Sequence, residues 1–345
     1  MTSSSQLQRV IGAYKVIFMN INHIKIHWIP LIITLLWNVD ALAQDNLFKR
    51  IDRILENRYY NVKGDTNYLK RPDLRLTAKL STKVSTSGVN IVSKTYGNEC
   101  TLDMRSNFKT TASLSVAYSG LSLSFSANPA KLSGKQYDWG INLISYGNTI
   151  GADIMALSAK TMTGNMNLNG IDCKLGTDAI QQNSIYLNGY YAFNHHKFSY
   201  PAAFTQSYIQ KRSAGSWLLT TSLYGNIIDS EIHSNIGRFY NINVTLGGGY
   251  GYNWVPSKRW LLHISCTPNF IVYSYSQLKL NEESISTKMQ FPEVHIASRG
   301  AVLYNMNRYF LGISMLFNYS GNGHTDVLRI SNTKYFWNTF IGMRF

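Results

Sequence analysis

The sequence is poor in charge, proline and cysteine. Asp, Glu, Lys and Arg make up only 15% of its 345 residues, against about 25% in ordinary soluble domains. The shortfall lies in the acids: 18 face 33 bases, for a formal net charge of +15. Three cysteines are too few for a disulfide-built scaffold. Seven prolines and no periodic glycine exclude collagen, and no sustained apolar heptad supports a coiled coil. After the N-terminal segment, no apolar run reaches the roughly 18 residues that a spanning helix needs. Aromatics at 13%, led by 23 tyrosines, exclude a disordered chain.

Residues 24–43 read IKIHWIPLIITLLWNVDALA. Lys25 gives a basic flank, Trp28 to Trp37 an apolar core, and Ala41-Leu42-Ala43 a small-residue exit. This pattern predicts a secretory signal peptide over 1–43, cleaved after Ala43. Met19 is the more conventional start, which would make 1–18 an extension. No cysteine at the exit supports a lipid anchor. Residues 44–72 are expected to form a short periplasmic helix and linker, because Leu47, Phe48, Ile51, Ile54 and Leu55 fall on one helical face.

From 73 to 345 the period changes to two. In the last eleven residues, Tyr335, Trp337, Ile341, Met343 and Phe345 alternate with Asn338, Gly342 and Arg344. Residues 309–319 and 241–254 behave alike. The strands exceed the five or six residues usual in soluble sheets, and aromatics sit at their ends. One recurrent apolar face, one polar face and terminal aromatics predict an all-β, transmembrane antiparallel barrel in the outer membrane of a Gram-negative bacterium. A secreted β-sandwich would use shorter strands.

Short and long connections alternate, and both termini belong in the periplasm. That parity gives twelve strands: 74–96, 111–118, 121–128, 137–146, 149–158, 184–194, 216–226, 240–253, 259–275, 291–304, 307–319 and 333–345. Fourteen is the alternative, if 197–207 also spans. Within 74–96 the alternation slips near Ser85 to Gly88, and a β-bulge is the expected cause. Residues 195–215 form a periplasmic-side connection of unusual length. They should fold under or into the barrel mouth, with His195, His196, Lys197, Tyr200, Gln206, Gln210, Lys211, Arg212 and Ser213 as candidate lumen or mouth groups.

The stretch KFSYPAAFTQSYIQKRSAGSWLL, 197–219, resembles the signature of the domain-of-unknown-function family 4421, outer-membrane barrels of Bacteroidetes. Lys197, Phe198, Ser199, Tyr200, Ala202, Ala203 and Phe204 fit its first part, and Gln210 to Ser216 its second. Pro201 stands where the family pattern has a basic residue. The resemblance implies fold and location, and it carries no assigned activity.

Ile341, Met343 and Phe345 resemble the terminal signal read by the barrel assembly machinery. Lipid disfavours Lys and Arg by about 2–4 kcal/mol near the midplane. Arg75, Lys79, Arg299 and Arg344 should therefore face the lumen or rim, along with Lys211 and Arg212, and a basic lumen favours anions. The leading expectation is a non-enzymatic channel or transport protein for small anionic solutes. The alternatives are a membrane-embedded lipid hydrolase, using His195 or His196 with Ser199, Ser207 or Ser213, and an occluded structural or adaptor barrel with a periplasmic partner. No metal site, cofactor or nucleic-acid partner is expected; outer-membrane lipid is. Cys100 and Cys173 fall in outer loops and could form a disulfide, whereas Cys266 should face lipid and stay free. Gly247 to Gly249 lie mid-strand and should flatten or bend a lumen wall.

Overall fold

The computed structural model describes residues 46–345, except 61–63, 96–97, 107, 132–136, 169, 177–179, 233–234, 281–282, 289–292, 307 and 325–327. The signal-peptide segment lies outside the described residues. The chain divides after Asn57 into two compact units. The expected helix, α1, runs Asn46–Tyr60, with Ile54 exposed on its apolar stripe.

In the second unit the strands are β1 (Leu69–Lys70), β2 (Leu76–Thr95), β3 (Asn98–Ser106), β4 (Lys109–Tyr118), β5 (Leu121–Ala127), β6 (Asp138–Tyr146), β7 (Ile150–Ala159), β8 (Met162–Leu168), β9 (Ile171–Leu175) and β10 (Ile180–Ala192). After a short helix, α2 (Tyr200–Phe204), come β11 (Ile209–Gln210), β12 (Ala214–Ile232), β13 (Asn235–Ser257), β14 (Trp260–Leu280), β15 (Glu283–Lys288), β16 (Glu293–Met306), β17 (Tyr309–His324) and β18 (Leu328–Arg344). Twelve of them, β2, β4 to β7, β10, β12 to β14 and β16 to β18, form one antiparallel barrel, closed by β18 on β2. The fourteen-strand alternative fails because 197–207 carries α2 and does not span. Closure satisfies both edges: Phe345 N–H donates to the Leu76 carbonyl at 2.8 Å. At this end the connections are short, apart from that between β10 and β12. Ser119 and Gly120 have φ of 50° and 90°, the twist that a two-residue hairpin needs and glycine permits.

Outward side chains are apolar on strand after strand, including Leu80, Leu114, Leu123, Leu143, Ile154, Leu187, Leu219, Ile264, Ile313 and Ile341, all exposed. Exposed aromatics gather near the short turns: Tyr118, Trp217, Tyr250, Trp254, Trp260 and Tyr309. A second group includes Tyr335, which packs on Phe317 at 5.0 Å between centroids. From Tyr309 to Phe317 the strand advances about 27 Å at 3.4 Å per residue. With a tilt near 40° this is about 20 Å along the axis, close to the apolar height of such barrels. Cys266 is exposed in this band and is a free thiol.

Strand β2 corrects one expectation. Its register against β18 is unbroken from Thr77–Arg344 to Ser93–Leu328, so no bulge interrupts it. Lys79, Ser81, Lys83, Ser85, Ser87, Val89 and Ile91 share one face, and that inner face itself turns from polar to apolar. The slip in the pattern was a change of surroundings. At this level β2 passes from β4 to β3, and the Ser106 hydroxyl satisfies the Ser87 amide at the fork, 2.8 Å away. Strand β3 then pairs with β8, bypassing β4 to β7. The inward side chains at this height, Val89, Ile91, Met104, Met162, Ile180, Ile228, Phe239 and Ile330, pack into one buried apolar layer.

The glycine run lies where β14 backbone crowds β13. A Cβ on Gly247 would overlap the Pro268 carbonyl, and one on Gly249 the Cys266 carbonyl. Pro268 lacks an amide to donate, and the β13–β14 pairing passes from Gly247–Asn269 to Tyr250–Cys266, skipping Gly248 and Gly249. The register of this pair shifts between Val244 and Thr245.

Candidate functional site

The connection between β10 and β12, residues 193–213, folds into the barrel as a plug. Its helix α2 begins with Pro201 in the first turn, where a missing amide is harmless. Phe198, Tyr200, Ala202, Ala203 and Tyr208 are all buried. Ala202, Ala203 and Tyr208 pack on Leu261, Ala301, Leu303, Phe310 and Phe340 of the inner wall. Phe198 and Tyr200 pack on Tyr146, Tyr190 and Leu218. The wall is shaped for these rings: a Cβ on Gly342 would overlap the Phe310 ring, and one on Gly151 the Tyr190 ring.

One hydrogen-bond network latches the plug. Gln210 Oε1 accepts from the Ser199 amide at 2.9 Å and from Asn253 Nδ2 at 3.0 Å. Gln210 Nε2 donates to the carbonyls of Lys197 and Arg212, at 2.6 and 2.9 Å. Asn253 Nδ2 also donates to the Ser199 carbonyl at 2.8 Å. With its amide so oriented, Asn253 Oδ1 must accept from His263 Nδ1, 2.7 Å away. His263 then carries its proton on Nδ1, and Nε2 accepts from the Ser265 hydroxyl at 3.0 Å. This Ser-His-Asn chain is buried beneath the plug, with Ser265 3% exposed; its geometry holds the plug and offers no open face.

Outside the plug lies the linker. Strands β1 and β11 pair. Lys211 Nζ donates to the Thr66 carbonyl at 2.8 Å, and Arg71 stacks over Tyr208 at 3.7 Å and Tyr59 at 4.5 Å. Arg344 reaches the Gln206 carbonyl at 3.4 Å and Asn305 Oδ1 at 3.1 Å.

Between plug and apolar layer is a polar chamber of about 270 Å³. Lys79, Lys83 and Lys334 line it from β2 and β18, and Arg299 from β16. Serines 81, 87, 113, 115, 124 and 126 fill the wall between them. Among the described residues the three lysines have no carboxylate partner. Their ammonium groups instead lie over Phe340, Phe336 and Tyr186, at 5.0, 5.0 and 4.5 Å respectively. Asp153 is held by the Tyr146 hydroxyl at 2.7 Å and Asn188 at 2.9 Å, and Arg299 donates to Tyr146 at 3.3 Å. Lys109 pairs with Asp138 at 2.8 Å just above. The lining is therefore strongly cationic, and it can hold anions out of bulk water.

The structure sorts the sequence candidates. Tyr200, Gln206 and Gln210 are buried in the plug, and only Tyr200 reaches the chamber. Lys197, Lys211 and Arg212 are exposed on the linker side, where Lys197 and Arg212 flank Tyr68 at 5.3 and 5.9 Å; they do not line the lumen. Ser213 accepts from the Val255 amide at 2.9 Å. His195 and His196 stack on each other at 4.2 Å, and no described hydrogen bond joins either ring to Ser199, Ser207 or Ser213. Among the described residues no group of three or more His, Cys, Asp or Glu could hold a metal. Lys79 and Arg299 line the chamber as expected. Arg344 is buried at the turn end and Arg75 lies beside Tyr118 at 5.8 Å. Ile341 and Phe345 are exposed on the closing strand. Cys100 pairs in register with Leu168, and Cys173 with Met166; their side chains lie outside the described residues. Sequence reasoning missed Lys83, Lys334, Asn253 and His263. Parity could have found the lysines, since outward Trp337 and Tyr335 force Lys334 inward.

Fold and site define a twelve-stranded, lipid-compatible β-barrel with a plugged, basic interior. Residues 63–345 match the family described as Domain of unknown function (DUF4421), and the chain belongs to that family. No curated protein matches it. Among solved structures it is similar to the outer membrane protease OmpT from Escherichia coli, at 9% identity and a TM-score of 0.43, covering 79% of this chain and 97% of that one. It is also similar to the transport unit of the autotransporter AIDA-I from Escherichia coli, at 11% identity and a TM-score of 0.36, covering 85% and 97%. A third is the outer membrane protein OprG from Pseudomonas aeruginosa, at 11% identity and a TM-score of 0.28, covering 81% and 99%. At these identities and scores nothing about activity passes to this chain.

Proposed function

We propose that this protein is a gated outer-membrane transport barrel for small anions, exported by a signal peptide cleaved after Ala43 and assembled through the terminal Ile341, Met343 and Phe345. The observation that carries the reading is a chamber lined by Lys79, Lys83, Lys334 and Arg299 between a plug and an apolar layer. A continuously open pore would need neither. A purely structural barrel would gain nothing from unpaired interior lysines, whose desolvation is unfavourable.

Planar-bilayer recording of the refolded mature chain tests this. The wild-type barrel should be largely silent, with brief openings. Ala192 and Leu218 face each other in register, so a short Gly-Ser link can replace 196–211, and in the same variant Met104→Ala, Met162→Ala and Phe239→Ala thin the apolar layer that closes the other end. That variant should open far more often and prefer anions by reversal potential. Large steady steps from the wild type would overturn the gate. Silence from both proteins would overturn transport and favour the adaptor alternative.

A further inference from the structure

The short-turn end of the barrel carries a charge that the chamber does not use. Lys258 and Arg259 form the turn between β13 and β14, and Arg308 stands in the turn between β16 and β17; all three are exposed. The two turns are neighbours, because the Arg259 carbonyl accepts from the Asn305 amide at 2.8 Å. Arg259 Nη1 donates to Tyr304 Oη at 3.1 Å. Arg308 Nε donates to the Arg344 carbonyl at 3.3 Å, with its guanidinium 5.8 Å from the Phe345 ring. Most N–H groups of both forks stay open. Among the described residues none of the three cations pairs with a carboxylate. The turns across the barrel, Ser119-Gly120 and Gly147-Asn148, hold no charge, so the cations occupy one arc.

Their surroundings fix what can meet them. Trp260 packs on Tyr304 at 4.9 Å, and Trp260, Met306, Tyr309 and Phe345 are exposed in the outward band. Leu303 and Phe310 are buried inward, so Tyr304 and Tyr309, one residue along each strand, point outward. Interfacial aromatics of this kind mark the headgroup level of a bilayer, and the arginines stand at its edge. A lipid headgroup lies beside such a face without having to be recruited, whereas a soluble protein would have to displace lipid to reach it. Guanidinium forks match phosphate oxygens. A zwitterionic headgroup brings its own ammonium into a patch that is already cationic; an anionic one does not. The Arg259 contact lies on β16 and the Arg308 contact on β18, two strands away in the sheet, or about 10 Å. Each arginine therefore takes its own phosphate.

We propose that Lys258, Arg259 and Arg308 bind the headgroup phosphates of anionic phospholipid in the periplasmic leaflet and so set the depth of the plug end in the membrane. The refolded mature barrel is placed in dioleoylphosphatidylcholine vesicles, in which brominated phosphatidylglycerol or brominated phosphatidylcholine replaces a rising fraction of the lipid. The tryptophan quenching lost on Trp260→Phe, taken in each background, reads the lipid beside Arg259. Brominated phosphatidylglycerol should be preferred there by about fivefold or more, the contribution of one basic group near an anionic surface. Arg259→Gln with Arg308→Gln should bring the ratio close to unity. Arg105→Gln, which removes an exposed charge at the far end, should leave it unchanged. Arg259→Gln alone serves if the double variant loses heat-modifiable migration. Equal quenching by the two lipids would overturn the proposal and leave the arginines to an acidic protein surface. A preference untouched by the arginine variants would overturn it as well.

Discussion

Replacing Asn253 by alanine removes three buried hydrogen bonds at one point: to His263 Nδ1, the Ser199 carbonyl and Gln210 Oε1. Two of these hold the plug. A buried hydrogen bond contributes about 1 kcal/mol net, and stranding a partner adds about 1–3 kcal/mol. Gln210 Oε1 keeps the Ser199 amide, so the Ser199 carbonyl is the main group stranded on the plug side. Plug seating should weaken by about 2–4 kcal/mol, or roughly 30- to 700-fold in the population of the open form. The packed rings of Phe198 and Tyr200 remain, each contributing about 1.5–3 kcal/mol of burial, so the plug should stay mostly seated. Amide hydrogen exchange in lipid nanodiscs reads this directly. Amides across 198–210 should exchange faster by that factor, while those of β17 and β18 hold. Gln210→Ala, which removes four bonds, should do at least as much. Unchanged protection of 198–210 in both variants would refute the latch.

Other expectations follow from packing. Phe310→Ala opens a cavity beside Phe340 and Ala203 and should cost about 3–5 kcal/mol, seen as a lower urea midpoint for loss of heat-modifiable migration. Gly249→Val places a side chain into the β14 backbone, so the folded yield should collapse, whereas Gly170→Ala, with open space around it but φ of 85°, should refold with only a small loss. Cys266, exposed among Ile264 and Phe270, should react in liposomes with a bilayer-partitioning maleimide and resist a charged one; the reverse order would show that this face is not in lipid.

The twelve spans were legible because each is a local pattern: alternation sets the faces, and turn residues such as Ser119-Gly120 mark the reversals. What stayed hidden depends on distant partners. Val89 and Ile91 looked like a register slip because nothing local reveals that β3 meets β8 above them. The family-like motif pointed to 195–215, yet its meaning lies in Asn253 and His263, which lie 43 to 64 residues downstream of Gln210 and Ser199 and ten residues apart on adjacent strands. Lys211 and Arg212 drew attention by charge, but a polar rim accommodates such groups readily. The chamber's own cations sit in strands, where only a completed inside-outside assignment separates them from the lipid face.

The handover from β4 to β3 makes the ceiling a matter of arithmetic. Strands β4 to β7 end near Lys109, Ala127, Asp138 and Ala159, and β3 with β8 spans above them. Chamber height is thus measured off by four short strands, while its floor is anchored to other parts of the chain. Inserting one residue pair into each of the four, with a matching pair in the facing stretches of β2, β10, β12, β13 and β18 that carry the rest of the layer, would raise the roof by about 7 Å along the strands. Related barrels could therefore keep one gate and one charged wall and still differ in the length of solute they enclose.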